Sequence, residues 1–124
     1  MTSSKTVLIV DDDPGILLSL DFLMKKAGFT VLVARDGDEA LQLVADHLPD
    51  AILLDIMMPG VDGYEVCKTV KSNPRWSHAK IIMLSAKSRD TDIAKARELG
   101  ADQYITKPFS TKNLLSEVNK LLYP

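Results

Sequence analysis

The chain has 124 residues and a mass of 13.7 kDa, room for one ordinary domain and not for two. With 46% apolar and 26% charged residues it carries enough apolar material for a core, which excludes disorder of the whole chain. Fifteen basic residues against seventeen acidic ones give a net charge of −2, so no global charge draws it to nucleic acid or to a membrane surface.

Apolar runs such as Val7–Val10 and Ile81–Leu84 are far shorter than the roughly 20 residues that span a bilayer. Met1-Thr2-Ser3-Ser4-Lys5 lacks the basic-then-apolar layout of a signal peptide. The single cysteine, Cys67, has no internal disulfide partner, and a reducing cytoplasm is the simplest setting for it.

In chain order, two hydrophobic periods alternate. The β-branched run Thr6–Val10 reads as a strand. A helix follows from Pro14, capped by Asp13, with Ile16, Leu17, Leu20, Leu23, Met24 and Ala27 on one stripe and Gly28 as a left-handed terminator. Thr30–Ala34 is the second strand. Asp36-Gly37-Asp38-Glu39 is an acidic capping box that opens a helix with the stripe Ala40, Leu41, Val44, Ala45 and Leu48, stopped by Pro49. Ala51–Leu54 is the third strand, and Asp62-Gly63-Tyr64-Glu65 opens a helix that ends by Asn73-Pro74. Lys80–Leu84 is the fourth strand, followed by a helix from about Arg89 to Leu99 with Gly100 as terminator. Gln103–Thr106 is a weaker fifth strand, and a last helix after Ser110 buries Leu114, Leu115, Val118, Leu121 and Leu122. The first four strands are almost continuously apolar, which predicts burial on both faces of a parallel sheet.

The order (βα)5 predicts an α/β fold: a doubly wound five-stranded parallel sheet with right-handed crossovers. Two helices on one face and three on the other favour the flavodoxin-like strand order 2-1-3-4-5. Such sheets bind ligands beyond the carboxyl ends of their strands, at the switch point between strands one and three. Strand one ends in Asp11-Asp12-Asp13, strand three in Asp55, strand four in Ser85-Ala86 and strand five in Lys107-Pro108. Asp11, Asp12 and Asp55 are therefore expected to converge. Two unit charges about 5 Å apart at an effective dielectric of about 20 repel by about 3 kcal/mol, so the cluster calls for a cation. Hard oxygen ligands suit Mg²⁺, and zinc is disfavoured because His47 and His78 fall at the opposite ends of their elements.

Each of these polar residues also has a plainer reading. Asp13, Asp36, Asp62 and Ser110 serve as helix caps. Asp55 precedes the next helix by seven residues, too early for a cap. Lys107, which alone would be a solvated lysine, faces the acid cluster before a proline. A carboxylate with Mg²⁺, a lysine and a hydroxyl around it is what phosphoryl transfer to that carboxylate requires.

From Val7-Leu8-Ile9-Val10-Asp11-Asp12-Asp13-Pro14 onward, the chain resembles the receiver domain of bacterial two-component response regulators, of the chemotaxis-regulator type. The blocks that carry the resemblance are Leu54-Asp55-Ile56-Met57-Met58-Pro59-Gly60-Val61-Asp62-Gly63, Leu84-Ser85-Ala86 and Ile105-Thr106-Lys107-Pro108-Phe109. The resemblance implies a single receiver domain over residues 1–124, with Asp55 as phosphoacceptor. It makes Asp12 a direct Mg²⁺ ligand, Asp11 a ligand largely through water and the Met57 backbone carbonyl a further ligand. Lys107 becomes the lysine that contacts the phosphoryl group, Ser85 the switch hydroxyl and Tyr104 the switch aromatic. The Lys107-Pro108 peptide is expected to be cis. Met57 and Lys87, two residues past Asp55 and Ser85, are expected to slow loss of the phosphoryl group. Trp76 is expected far from the site, with Ile56 beside the phosphoacceptor where chemotaxis-type receivers carry a tryptophan.

The function so implied is a phosphorylation-activated switch that takes a phosphoryl group from a sensor histidine kinase or phosphotransfer protein and turns over no external substrate. It would signal through the helix 4–strand 5–helix 5 face to a protein partner or a second copy, without direct contact to nucleic acid or membrane, in the cytoplasm. Two other classes fit less well. Haloacid-dehalogenase-type phosphatases place the nucleophile after the first strand with a second Asp two residues on. Flavin carriers cradle phosphate in a first loop where this chain has Asp11-Asp12-Asp13. No effector domain is expected after Leu121-Leu122-Tyr123-Pro124, which leaves either a stand-alone receiver acting by docking or a receiver cut from a longer regulator, and no DNA-binding helix-turn-helix is visible. Cys67, beside Val66 and Val70, reads as core.

Overall fold

A computed structural model describes residues 4–124; the reading of Met1–Ser3 as leader-free lies outside the described residues. Five parallel strands, β1 (Thr6–Val10), β2 (Thr30–Ala34), β3 (Ala51–Asp55), β4 (Lys80–Ser85) and β5 (Gln103–Thr106), alternate with five helices. The helices are α1 (Pro14–Lys26), α2 (Gly37–His47), α3 (Gly63–Ser72), α4 (Asp90–Glu98) and α5 (Thr111–Leu122). The sheet order is β2-β1-β3-β4-β5, as the pattern of runs predicts.

Two cores flank the sheet. Val7, Ile9, Leu53, Ile82 and Leu84 pack under α1 and α5, while Leu8, Val10, Ile52, Leu54, Ile81 and Met83 pack under α2, α3 and α4. Alternate residues of each central strand thus serve opposite faces, which is why β1, β3 and β4 read as continuous apolar runs.

Local chemistry sets the helix ends. Asp13 accepts from the Gly15 and Ile16 amides, Asp36 from Glu39, Asp62 from Glu65 and Ser110 from Asn113. Gly28 (φ 96°) and Gly100 (φ 100°) take the left-handed conformation expected of them. The Lys107-Pro108 peptide is cis.

Four expectations change. β2 is an edge strand, and with only β1 beside it Thr30 is exposed and Val33 stays 44% exposed, so it is not buried on both faces. On α1, Ala27 is the C-cap and exposed rather than part of the buried stripe. On α2, Ala45 and Leu48 face solvent while Leu43 packs on the core. Leu48 has left the helix as a left-handed cap (φ 49°), so helical phase no longer places its side chain. The strands β3 and β4 each run one residue further than expected and carry Asp55 and Ser85 as their last residues.

Candidate functional site

Parallel strands end on one side of a sheet, so the residues that follow β1, close β3 and β4 and follow β5 meet at one edge. Asp11, Asp12 and Asp55 each offer a carboxylate oxygen there, and the three lie within 4.8 Å of one another. Asp11 and Asp55 are buried and Asp12 is exposed.

One cation serves this group. Lys107 Nζ donates to Asp11 Oδ2 at 2.9 Å and to Asp55 Oδ1 at 3.4 Å. Its backbone N–H donates to the Ser85 carbonyl at 2.8 Å, so the end of β4 sets where the lysine starts. The other oxygen of Asp11 accepts from the Asp13 amide at 2.9 Å, which ties the acid cluster to the turn that caps α1. Burial first, and the charge of Asp11 second, push the Asp55 carboxyl above its ordinary value, against the pull of Lys107 and the Met57 amide. Burial alone would depress Lys107, but its hydrogen bond to Asp11 and the charges of Asp55 and Asp11 outweigh that and raise it.

The surplus of carboxylate over cation is the chemical signature of the site. Hard oxygen donors, short of positive charge and partly open to solvent through Asp12, fit a small divalent cation such as Mg²⁺. Among the described residues, His47 and His78 are exposed, His47 ending α2 and His78 preceding β4, and Cys67 is buried in the core, so no imidazole or thiol joins the cluster. Burial pushes the Cys67 thiol up to about 11, consistent with a packing role.

Ser85 is fully buried, and its Oγ accepts from the Lys87 amide at 3.1 Å. Tyr104 on β5 is half-buried, and its hydroxyl donates to the Lys87 carbonyl at 2.8 Å. The two residues expected to act as a switch therefore both bond Lys87, Ser85 at its amide and Tyr104 at its carbonyl. Met57 follows in the loop after Asp55 with its side chain 56% exposed. Lys87 Nζ stands 5.9 Å from the centre of the Tyr64 ring and makes no ion pair with Asp55. Trp76 is half-buried in the turn before β4, on the opposite edge of the sheet.

Sequence reasoning assigned no site role to four residues near the site: Gly63, Tyr64, Arg89 and Asp92. Gly63 donates to the Ile56 carbonyl at 3.0 Å, and a Cβ on it would collide with the Asp55 carbonyl oxygen, so only glycine lets α3 start this close. Tyr64 and the Arg89–Asp92 pair bind the start of α4; the apolar period of α3 gives Tyr64 no mark that separates it from ordinary core.

Comparison with known proteins agrees with this geometry. The family model "Response regulator receiver domain" matches residues 7–119. The chain is similar to the chemotaxis protein CheY4 of Vibrio cholerae, with 29% identity, a TM-score of 0.92, and coverage of 97% of this chain and 100% of that one. It is similar to the signal receiver domain of a signal transduction histidine kinase from Syntrophus aciditrophicus, with 34% identity, a TM-score of 0.89 and coverage of 96% and 90%. It is also similar to the BeF3-activated N-terminal receiver domain of RstA from Klebsiella pneumoniae, with 29% identity, a TM-score of 0.89 and coverage of 97% and 100%. No helix among the described residues is long and apolar enough to cross a membrane.

Proposed function

The chain belongs to the response regulator receiver domain family, and from that premise we propose that it is a single receiver domain over residues 1–124 whose phosphoacceptor is Asp55. The observation that carries this reading is the convergence of three carboxylates within 4.8 Å on a single lysine, with Asp55 buried in the strand end that faces Lys107. Asp11, Asp12, Asp55 and the Met57 carbonyl would hold Mg²⁺. When bound, Mg²⁺ supplies positive charge to the phosphoryl oxygens and relieves the crowding of the carboxylates.

The chain's own residues do the rest. An Asp55 carboxylate oxygen attacks the phosphorus of a phosphohistidine on a kinase or phosphotransfer protein; the O–P bond forms as the N–P bond breaks, and the departing imidazole takes up a proton. Lys107 moves from sharing two carboxylates to neutralising a phosphoryl oxygen, a role supported by its 3.4 Å contact with Asp55. Ser85 Oγ releases the Lys87 amide and donates to another phosphoryl oxygen, and Tyr104 follows the segment it is bonded to. The resulting acyl phosphate is an activated anhydride and decays by hydrolysis, so the domain modifies only itself and turns over no external substrate. Exposed Met57 screens the hydrolytic approach, and the Lys87 ammonium starts 5.9 Å from the centre of the Tyr64 ring.

Output then follows from a shift between two states, read by a partner protein or a second copy on the α4–β5–α5 face. We place this work in the cytoplasm, with contact to neither nucleic acid nor membrane. The experiment is intact-mass spectrometry after incubation with acetyl phosphate, with and without Mg²⁺, on the wild type and Asp55→Asn. One added phosphoryl group that needs both Mg²⁺ and Asp55 is expected. No adduct, together with no binding of beryllofluoride, the activating group in the RstA structure, would sink the reading.

A further inference from the structure

A second tyrosine, besides Tyr104, touches the segment that leads from Ser85 to α4. Tyr64 is the second residue of α3 and is only 7% exposed. Its base is held, because the preceding Gly63 donates to the Ile56 carbonyl at 3.0 Å and lies so near the Asp55 backbone that there is no room for a Cβ. From that fixed point its hydroxyl donates to the Asp92 carbonyl, in the first turn of α4, at 3.3 Å. Its ring meets two ammonium groups: Lys95 Nζ of α4 lies 4.3 Å from the ring centre and Lys87 Nζ of the β4–α4 segment 5.9 Å from it.

The helix it reaches is weakly anchored. Arg89, the N-cap of α4, makes no side-chain cap bond; it pairs instead with Asp92 at 3.1 Å. Only Asp92 and Ala96 of α4 are buried, so little apolar area holds the helix to the domain. An open groove of about 470 Å³ separates α3 from α4, with Gly60, Glu65, Lys68 and Leu99 on its walls beside Tyr64 and Lys95. Tyr64 bridges this gap.

We propose that Tyr64 is a coupling residue that transmits the state of the Ser85–Lys87 segment to α4, in parallel with Tyr104. The inference rests on the reading of Asp55 as phosphoacceptor and of Ser85 as the hydroxyl that turns toward the phosphoryl group. When Ser85 Oγ leaves the Lys87 amide, the segment must rearrange and carry the Lys87 ammonium with it. Tyr64 cannot follow, because the start of α3 is held against Asp55. The ring is then a post against which Lys87 and Lys95 change their relative position, and the hydroxyl contact to Asp92 passes that change to the first turn of α4. A residue that only filled the core would make neither the hydroxyl bond nor the double cation contact.

The test uses the full chain, free and with Mg²⁺ and beryllofluoride, and follows amide hydrogen exchange along α4 in the wild type, Tyr64→Phe and Tyr64→Leu. Phenylalanine keeps the ring and removes the donor; leucine removes both. The wild type is expected to change α4 exchange several-fold when the analogue binds. That response should be at least halved in Tyr64→Phe and abolished in Tyr64→Leu, while beryllofluoride still saturates the site. Because coupling is reciprocal, beryllofluoride affinity should also shift in the variants, which a merely structural tyrosine would not cause. An equal α4 response in wild type and Tyr64→Phe overturns the coupling role, and that variant decides alone if Tyr64→Leu does not fold. Beryllofluoride bound to the wild type with no response of α4 overturns this inference and leaves the phosphoacceptor standing. Failure of beryllofluoride to bind the wild type overturns both.

Discussion

Both edges of the sheet hold a lysine against an aspartate, and the two pairs do opposite things. At the edge where the strands begin, Lys71 Nζ meets Asp102 Oδ2 at 2.9 Å, the Ala79 carbonyl at 2.7 Å and the Ser77 carbonyl at 3.3 Å. Asp102 Oδ2 also accepts the Ile81 amide at 2.9 Å. One cation meets one anion, and two carbonyls accept hydrogen bonds from the same ammonium. At the edge where the strands end, Lys107 faces two carboxylates directly with a third within reach. One positive charge cannot match three negative ones. A saturated pair fastens α3 to β4 and the turn before β5; an unsaturated one is poised for a cation and a phosphoryl group. The ion pair as such is uninformative, and the surplus charge is what distinguishes a site from a fastening.

The largest effect is expected from breaking the saturated pair. Lys71→Met keeps most of the aliphatic stem beside Gly100 but removes the ammonium from two carbonyls and a half-buried carboxylate. A loss of about 2–3 kcal/mol of stability is expected, because the acceptors stay behind without their partner. It would be read as a lower urea midpoint with an unchanged slope. A midpoint within error of the wild type would show that water serves those acceptors as well as the lysine does.

The unsaturated edge should respond with the opposite sign. Burial, and then Asp11, raise the Asp55 carboxyl above its ordinary value of 3.8. Between that value and the raised one the folded state holds a proton that the unfolded state has lost, so this group's contribution to stability falls as pH rises from about 3.8 through the raised value. Asp55→Asn has no such fall. Without metal, it should be more stable than the wild type at neutral pH, with the gap closing as pH is lowered toward 3.8. Mg²⁺ should then stabilise the wild type more than the variant, by mass action. Denaturant midpoints across pH, with and without Mg²⁺, check both parts; a variant that is less stable at neutral pH would mean that Lys107 overcompensates the crowding.

These opposite roles bear on what the sequence could reveal. The acid cluster was legible because a parallel sheet delivers every strand's end to one edge, so Asp11, Asp12, Asp55, Ser85 and Lys107 needed only correct strands to be brought together. The caps were legible because Asp13, Asp36, Asp62 and Ser110 bond amides two or three residues away. Lys71–Asp102 and Tyr64–Asp92 were not, since each joins segments distant in sequence and each partner alone reads as surface lysine, surface acid or core aromatic. Helical phase also failed where the backbone left the helix, at Ala27 and Leu48, and strand burial failed at β2, whose edge position depends on the assembled sheet.

The smallest effect tests whether the two edges are independent. Trp76 sits half-buried before β4, and the six residues of β4 lie between it and the end occupied by Ser85. At about 3.3 Å per strand residue, that puts roughly 20 Å between the indole and the acid cluster. The charge of an ion held at Asp11, Asp12 and Asp55 is therefore strongly attenuated at Trp76, and Ile56, the direct neighbour of Asp55, does not fluoresce. An Mg²⁺ titration that raises the thermal midpoint should leave the Trp76 emission maximum and intensity in place. A clear quench or shift over the same Mg²⁺ range would mean that occupancy at one edge repacks the other. The saturated lysine would then belong to the switching machinery rather than hold the frame against which it moves.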